Sequence, residues 1–305
     1  MPDPVSADAP RDTGLSANAG ERSVLAWLAL VLLLAVALRA LNLGTQSMWL
    51  DELFSRRAAL EPTLWGTILS GSIHDMFPPL YPIISHFAVR LPGDAEAAMR
   101  LPSAVAGAAA VFVVFAIGRV LHSARVGLVA ATLMGCHWFA LAYSQEGRPY
   151  ALLSLFSAQA VYAGLRVVEC QRLGVPARRP LVALGAAGSL LCFLHYVGAL
   201  FFGAEALVLL FWARRQPPSL RGLLLCCTAV GVAYLPWLSV VATQIGRREG
   251  TKQPPHLADI VRTHSDLLAR HPFWFWTLVV LACSLAWRGR QSPPPTGASD
   301  VFRTR

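Results

Sequence analysis

Charged residues are scarce in this chain of 305 residues. They make up 14% of the sequence, whereas hydrophobic residues make up 55% and the mean hydropathy is +0.51. Soluble domains carry about 25% charged residues, so this composition excludes an ordinary soluble domain and indicates a polytopic membrane protein. The net charge of +9 does not indicate a nucleic-acid partner. The basic residues are nearly all arginines in short loops between apolar runs, which is how membrane topology is encoded.

Recognisable metal-binding patterns are also lacking. The six cysteines show no CxxC or Cys/His spacing, which argues against a metal centre and against a disulfide framework. A few carboxylates are compatible with a divalent ion, but no ligand spacing specifies one, and we predict that no metal or other cofactor is required. No small-residue cleavage site follows the first apolar run, 24–43, so we expect a retained helix and not a signal peptide.

Membrane-length runs predict an all-α polytopic helix bundle with about eight spans. The predicted membrane domain covers 24–287, with an outer loop at 44–100, and is flanked by disordered cytoplasmic tails at 1–23 and 288–305. A tight reversal is expected near His195, between two short runs. The predicted spans are 24–43, 101–120, 126–143, 150–168, 181–195, 198–213, 220–243 and 273–287.

The segment 78–93 is apolar but too short to span. About 14 residues lie between its proline clusters, or roughly 21 Å of helix against a hydrocarbon core of roughly 30 Å. We therefore expect a helix along the membrane interface. With this segment outside, most arginine-rich short loops fall on the side of the N-terminus. The positive-inside tendency then places both termini in the cytoplasm, although the arginines of 244–272 count against that orientation.

Polar side chains collect on the predicted outer side, each next to an apolar segment. Charged groups at membrane depth are costly and usually functional, so a shared outward cavity is the expected site. A purely structural alternative stays open, because acidic residues also cap helix N-termini. The pairs that would converge are Asp51–Glu52, His74–Asp75, Glu146–Arg148 and His195–Tyr196.

An ordered series of segments resembles the bacterial members of the protein O-mannosyltransferase-like superfamily of membrane-embedded glycosyltransferases. The segments are SMWLDELFS (47–55), DMFPPLYPIISHFAVRLPG (75–93), RLPSAVAGAAAVFVVFAIGRVL (100–121), YSQEGRPYALL (143–153), FLHYVGAL (193–200) and YLPWL (234–238). The resemblance implies a sugar donor on polyprenyl phosphate, transfer with inversion outside the plasma membrane, and interfacial helices in the first outer loop. It also implies that this loop holds the catalytic carboxylate, here Asp51 with Glu52 beside it. Many relatives have histidine where this chain has Phe77.

The chemistry of such a transfer suits the candidate residues. A carboxylate such as Asp51 takes the proton of the attacking hydroxyl, and a positive charge stabilises the departing lipid phosphate. Arg148 is the first candidate for that charge, followed by His195 and Arg56. Glu146 would orient Arg148 or contact a sugar hydroxyl. The remaining candidates for binding the donor are Asp75, His74 and Tyr150, and Trp49 is a further candidate for packing on the sugar.

The expected function is transfer of a mannose-like hexose or a pentose to a cell-envelope acceptor, which is a glycan, a lipid or a protein. Two other classes stay open. A catalytically inactive relative that only binds lipid would fit Phe77 and the short C-terminal region. A transporter or flippase would also need polar residues in a multi-span bundle. Arg39, inside the first run, either extends to the interface or contacts the lipid phosphate.

Overall fold

The computed structural model describes residues 13–214 and 217–248, and within them the fold is all-α, as predicted. Eleven α-helices and one π-helical turn, Gly71–Asp75, follow one another in these ranges. The helices are α1 (Thr13–Ala40), α2 (Leu50–Ala59), α3 (Leu64–Ser70), α4 (Leu80–Ala88), α5 (Ala95–Leu121), α6 (Ala124–Cys136), α7 (Trp138–Ser144), α8 (Tyr150–Arg172), α9 (Arg178–Leu194), α10 (Tyr196–Ala213) and α11 (Pro217–Arg248).

Five of these helices are long and apolar enough to cross a membrane, so the chain is a multi-pass membrane protein. They contain the stretches Arg22–Ala40, Ala95–Leu121, Tyr150–Arg172, Tyr196–Ala213 and Leu220–Gly246. The pair α6 and α7 adds a sixth if its halves, bent by 60°, form one span. The described residues therefore hold five or six candidate spans and do not show eight. Of the remaining predicted spans, α9 has only 17 residues, about 25 Å, and 273–287 lies outside the described residues.

A tight reversal at His195 joins α9 to α10, as the sequence predicts. His195 is extended (φ −160°, ψ 145°), and its Nδ1 accepts a hydrogen bond from the backbone N–H of Val197 at 3.0 Å. A Cβ on Gly198 would lie 2.4 Å from the carbonyl oxygen of Leu191. A Cβ on Gly188 would likewise lie 2.4 Å from Cε2 of Phe202. Gly188 and Phe202 are equally far from His195 in the sequence, so the two helices face each other across the turn. The two helices form an antiparallel hairpin that only glycine allows to pack this closely.

The segment between α1 and α5 is built from short helices. In the segment 78–93, α4 has nine residues, about 13.5 Å of helix, and is too short to cross the bilayer. This agrees with the prediction that the segment does not span, and its position along the interface stays a prediction. Side-chain caps fix where the neighbouring helices begin. Thr63 accepts from the N–H of Gly66 at the start of α3, and Asp94 accepts from that of Ala97 at the start of α5.

Arg39 ties α1 to the bend between α6 and α7. The residue is 1% exposed, so its side chain packs within the protein and does not extend away from the bundle, as one of the two alternatives expected. Nη1 donates to the carbonyl oxygen of Gly135 at 3.2 Å, and Nε donates to Ser144 Oγ at 3.2 Å. The last carbonyls of a helix have no intrahelical donor, so a guanidinium at the end of α6 satisfies one of them. Arg39 of α1 therefore supplies hydrogen-bond donors to the bend between α6 and α7.

Candidate active site

The loop between α7 and α8 carries two of the predicted site residues and is held on several sides. It is residues 145–149, Gln-Glu-Gly-Arg-Pro. Because its backbone is anchored to other helices, the side chains it carries have fixed positions. The contacts are Gln145 Nε2 to the carbonyls of Leu38 (3.0 Å) and Leu41 (2.9 Å), Tyr81 Oη to the carbonyl of Gly147, Ser103 Oγ to the carbonyl of Arg148 (2.9 Å), and the N–H of Gly147 to Glu52 Oε1 (2.6 Å).

Glu52 lies in the protein interior and not in an open site. It is 0% exposed and accepts two parallel hydrogen bonds from Arg100, Nε to Oε1 and Nη2 to Oε2, both at 2.8 Å. The N–H groups of Gly147 and Trp49 also donate to it, the latter at 3.3 Å as an N-cap contact of α2. Burial alone would raise the pKa of Glu52, but these donors outweigh burial and lower it. These are the contacts of a residue that positions α2, α5 and the loop 145–149.

Arg148 is the cation at the centre of the predicted cluster. It is 5% exposed, and its Nη1 donates to Ser55 Oγ (2.7 Å), to the backbone carbonyl of Asp51 (2.9 Å) and to both carboxylate oxygens of Asp75 (3.2 Å). Its guanidinium carbon lies 4.6 Å from the ring centroid of Phe77, a cation–π contact. Burial would lower the pKa of Arg148, but the Asp75 carboxylate more than offsets this, and the pKa is raised. Its Nε is buried and has no hydrogen-bond partner within the described part of the chain.

Asp75 ends the π-helical turn and is engaged on both sides. Besides Arg148, it accepts a 2.5 Å hydrogen bond from Ser55 Oγ. The next residue, Met76, adopts a left-handed conformation (φ 56°), which turns the chain toward Phe77 and the two prolines before α4. Asp75 is therefore the carboxylate that pairs with Arg148, in place of the predicted partner Glu146.

Asp51 differs from the other acidic residues around Arg148. It lies in the first turn of α2, as the capping alternative expects, and it is half-buried. Arg148 holds its backbone carbonyl, as described above, but among the described residues its carboxylate accepts no hydrogen bond. The backbone of Asp51 is therefore held in place, while its carboxylate has no hydrogen-bonding partner among the described residues.

Glu146 is the second carboxylate with unused hydrogen-bonding capacity. Its Oε2 is buried and has no partner among the described residues. Burial raises the pKa of Glu146, and the negative charges of Glu52 and, to a smaller extent, Asp51 add to this effect. An orphaned buried carboxylate oxygen is costly in a folded protein, so this oxygen keeps the capacity to accept a further hydrogen bond.

His195 lies close to Phe77 and to Tyr150, the residue that begins α8. Its ring centroid is 5.4 Å from that of Phe77 and 6.3 Å from that of Tyr150. Burial and the nearby charge of Arg148 lower the pKa of His195, so the ring is neutral at neutral pH. Because Nδ1 accepts from the backbone of α10, the proton of the neutral ring is on Nε2. His195 is thus a hydrogen-bond donor near Arg148.

The last two predicted binding residues contribute less. His74 lies in the π-helical turn beside Asp75, and its side chain is outside the part of the structure that is described. Arg56 lies in the last turn of α2 and is half-buried, and it forms no ion pair with a described residue. Among the described side chains, Arg56 therefore does not join the network around Arg148.

Sequence reasoning missed Arg100 and Ser55 as site residues. Arg100 lies near the start of α5, is 3% exposed, and also donates to the carbonyls of Leu43, Gln46 and Ser47 at 2.9–3.3 Å. Its position at the outer end of a long apolar run was a usable signal, since an arginine there has to find a partner. Ser55, one turn beyond Asp51 in α2, gave no signal of its own.

Comparison with known protein families gives one result for this chain. Residues 77–240 match the family described as dolichyl-phosphate-mannose-protein mannosyltransferase. The match covers more than half of the chain and includes Arg148, His195 and Phe77. No curated protein and no solved structure matches the chain significantly.

Proposed function

The chain belongs to the dolichyl-phosphate-mannose-protein mannosyltransferase family, whose members are membrane glycosyltransferases, and on this basis we propose that it transfers a mannose-like sugar from a polyprenyl-phosphate donor with inversion. The acceptor hydroxyl attacks the anomeric carbon, its proton passes to Asp51, and the bond from that carbon to the phosphate oxygen breaks. The electron pair leaves with the lipid phosphate. One displacement without a covalent intermediate inverts the anomeric configuration.

The free carboxylate of Asp51 is the observation that carries this proposal. Of the acidic residues nearest Arg148, Asp75 is neutralised by its ion pair, Glu52 is saturated by donors, and the unpaired Oε2 of Glu146 is buried. Asp51 accepts no hydrogen bond from a described residue and is half-buried, so an incoming hydroxyl has access to it. A carboxylate in hydrogen-bond reach of the hydroxyl contributes typically 10²–10⁴-fold to the rate. Glu52 then acts as the positioning residue beneath it.

Arg148 and His195 are suited to the leaving phosphate. The unpaired Nε of Arg148 supplies a charged donor, and Nε2 of the neutral His195 supplies a second. Asp75 and Ser55 hold the guanidinium in one orientation, so it does not have to reorganise as negative charge develops on the phosphate. A lipid phosphate is already a stable anion, and positive charge helps it more than a proton donor does.

Glu146 and Tyr150 are suited to the sugar. The orphaned Oε2 of Glu146 accepts a hydrogen bond from a sugar hydroxyl, which removes the cost of leaving it unpaired. Tyr150 begins α8 with its ring 4.9 Å from that of Tyr143 by centroid, so it offers an aromatic surface beside Glu146. Trp49, at the start of α2, is 46% exposed and available from the other side.

The experiment is a donor-cleavage assay with purified full-length protein in phospholipid nanodiscs. Polyprenyl-phosphate-mannose is supplied with an envelope extract as acceptor, and polyprenyl phosphate and glycosylated product are measured by mass spectrometry. We expect both products in equal amounts, with inverted anomeric configuration. Binding of the donor without any cleavage would instead identify an inactive lipid-binding relative, and movement of intact donor across a bilayer would identify a flippase.

A further inference from the structure

A large groove lies at the opposite end of the helix bundle from the candidate active site. It has a volume of about 1050 Å³ and is bordered by residues of α1, α5, α8 and α9. Along α5, Arg119 at its mouth lies nineteen residues, or about 28 Å, beyond Arg100 of the active-site network. Along α8, Arg166 at the mouth lies about 24 Å beyond Tyr150. The mouth of the groove is therefore separated from Arg100 and Tyr150 by nearly the thickness of a membrane, whereas its floor at Leu155 lies about 7.5 Å along α8 from Tyr150.

The mouth of the groove is cationic. Arg119 is exposed in the last turn of α5, and Arg166 lies beside it on α8. Arg166 contacts Glu169 at 2.5 Å, but both side chains are about 40% exposed, so this surface ion pair is weak and leaves the guanidinium accessible. Two arginines and one carboxylate leave a net positive charge at the level where lipid headgroups lie.

The walls below the mouth change from polar to apolar with depth. Tyr162 lies four residues before Arg166, about 6 Å deeper along α8, and Gln159 lies below it. Further down, Leu155 of α8, Phe112 of α5 and Leu190 of α9 line the groove. Leu155 is about 16 Å below Arg166, close to the roughly 15 Å that one leaflet contributes to a 30 Å hydrocarbon core.

We propose that this groove binds an anionic glycerophospholipid of the leaflet at its mouth. The phosphate contacts Arg119 and Arg166, the ester carbonyls accept from Tyr162 and Gln159, and an acyl chain lies along the apolar floor. From its mouth downward, the groove presents positive charge, then hydrogen-bond donors, then apolar side chains. A glycerophospholipid presents its phosphate, its ester carbonyls and its acyl chains in the same order. Arginine pairs with phosphate through several donors at once, and basic pockets between membrane helices suit anionic headgroups. The bound lipid fills the space between α1, α5, α8 and α9 at this end of the bundle.

The test measures lipid binding and needs no transfer activity, so it is independent of the proposed reaction. Delipidated full-length protein is titrated in detergent with phosphatidylglycerol, and separately with phosphatidylcholine of the same chains and with polyprenyl phosphate, and bound lipid is counted by native mass spectrometry. We expect phosphatidylglycerol to bind about tenfold more tightly than phosphatidylcholine, because both lipids share the phosphate but the quaternary ammonium of phosphatidylcholine offsets its negative charge and is repelled by the two arginines.

Three variants test the placement of the lipid. Together, Arg119→Gln and Arg166→Gln should remove the preference for phosphatidylglycerol, and Ala116→Trp, which fills the groove, should weaken binding of both phospholipids. The matched control is Arg172→Gln, an exposed arginine in the last turn of α8 that does not line the groove, and its affinity should stay within about twofold. Equal binding of both phospholipids by the unmodified protein, a preserved preference in the double variant, or displacement of phosphatidylglycerol by polyprenyl phosphate would each overturn the proposal.

Discussion

Replacing Glu52 by Gln should destabilise the protein far more than a surface substitution does. The carboxylate is fully buried and accepts two bonds from Arg100 at 2.8 Å and one from the N–H of Gly147 at 2.6 Å. A glutamine oxygen replaces one acceptor. Its NH₂ group, however, faces the Arg100 guanidinium with a donor instead of an acceptor, and the arginine loses its counter-charge.

The expected cost follows from these contacts. A hydrogen bond to a charged group contributes about 1.5–3 kcal/mol, and the substitution affects two of them. Breaking a buried ion pair from one side costs about 3–5 kcal/mol, because the remaining charge is left without compensation. We therefore expect Glu52→Gln to lower the free energy of unfolding by about 3–5 kcal/mol. Arg100→Gln should cost at least as much, since three backbone carbonyls also lose their donor.

The assay is equilibrium unfolding in mixed micelles, followed by circular dichroism. Glu169→Gln is the matched control, because it removes the acid of a pair whose side chains are about 40% exposed, and such pairs contribute roughly 0.2–1 kcal/mol. The double variant of Glu52 and Arg100 should cost less than the sum of the single ones. If Glu52→Gln costs less than about 1 kcal/mol, the buried pair does not hold the loop 145–149 in place.

Three further predictions concern the pH dependence of stability, the buried Arg39 and the membrane topology. The unfolding free energy should fall as pH drops below about 4, because the pKa of Glu52 is lower in the folded protein than in the unfolded chain. The stability that Glu52 contributes is complete above its unfolded pKa and is lost as pH falls through its folded pKa. Glu52→Gln should remove part of that fall, and an unchanged pH profile in the variant would contradict the ion pair. Arg39→Gln should cost about 1–3 kcal/mol in the same unfolding assay, since the Gly135 carbonyl loses its donor, whereas a cost below about 0.5 kcal/mol would suit an interfacial side chain. In a cysteine-free background, Leu60→Cys should react with a membrane-impermeant reagent in intact cells and Val175→Cys should not; the reverse labelling would invert the predicted topology.

Hydropathy predicted where the helices lie but not how their faces are arranged. Long apolar runs correspond to α5, α8, α10 and α11, because twenty apolar residues have one stable arrangement in a bilayer. The run 126–143, expected as one straight span, is broken at Cys136 into α6 and α7 with a 60° bend. Nothing in its composition indicated this, since the donor that satisfies the bend comes from Arg39 in another helix.

The side chains of the candidate active site were predicted only in part, again because their partners lie on other helices. Arg148, Asp75 and Asp51 stood out as charges beside apolar segments, and the structure brings them together. Their partners were not predicted, because Glu52 and Arg100 are 48 residues apart and no local period connects them. Apolar surface facing lipid also has the same composition as apolar surface facing protein, so a sequence pattern does not tell which face of a span is buried.

The most direct test of the proposed mechanism is the rate of sugar transfer by Asp51→Asn. Asn is nearly the same size and still favours a helix start, but it takes no proton from a hydroxyl at neutral pH. The matched control is Asp94→Asn, which changes an exposed acidic N-cap in the same segment between α1 and α5. We predict that Asp51→Asn slows transfer by about 10²–10⁴-fold with an unchanged unfolding free energy, and that the control stays within about twofold of the unmodified protein. Near-normal transfer by Asp51→Asn would show that Asp51 is not the base.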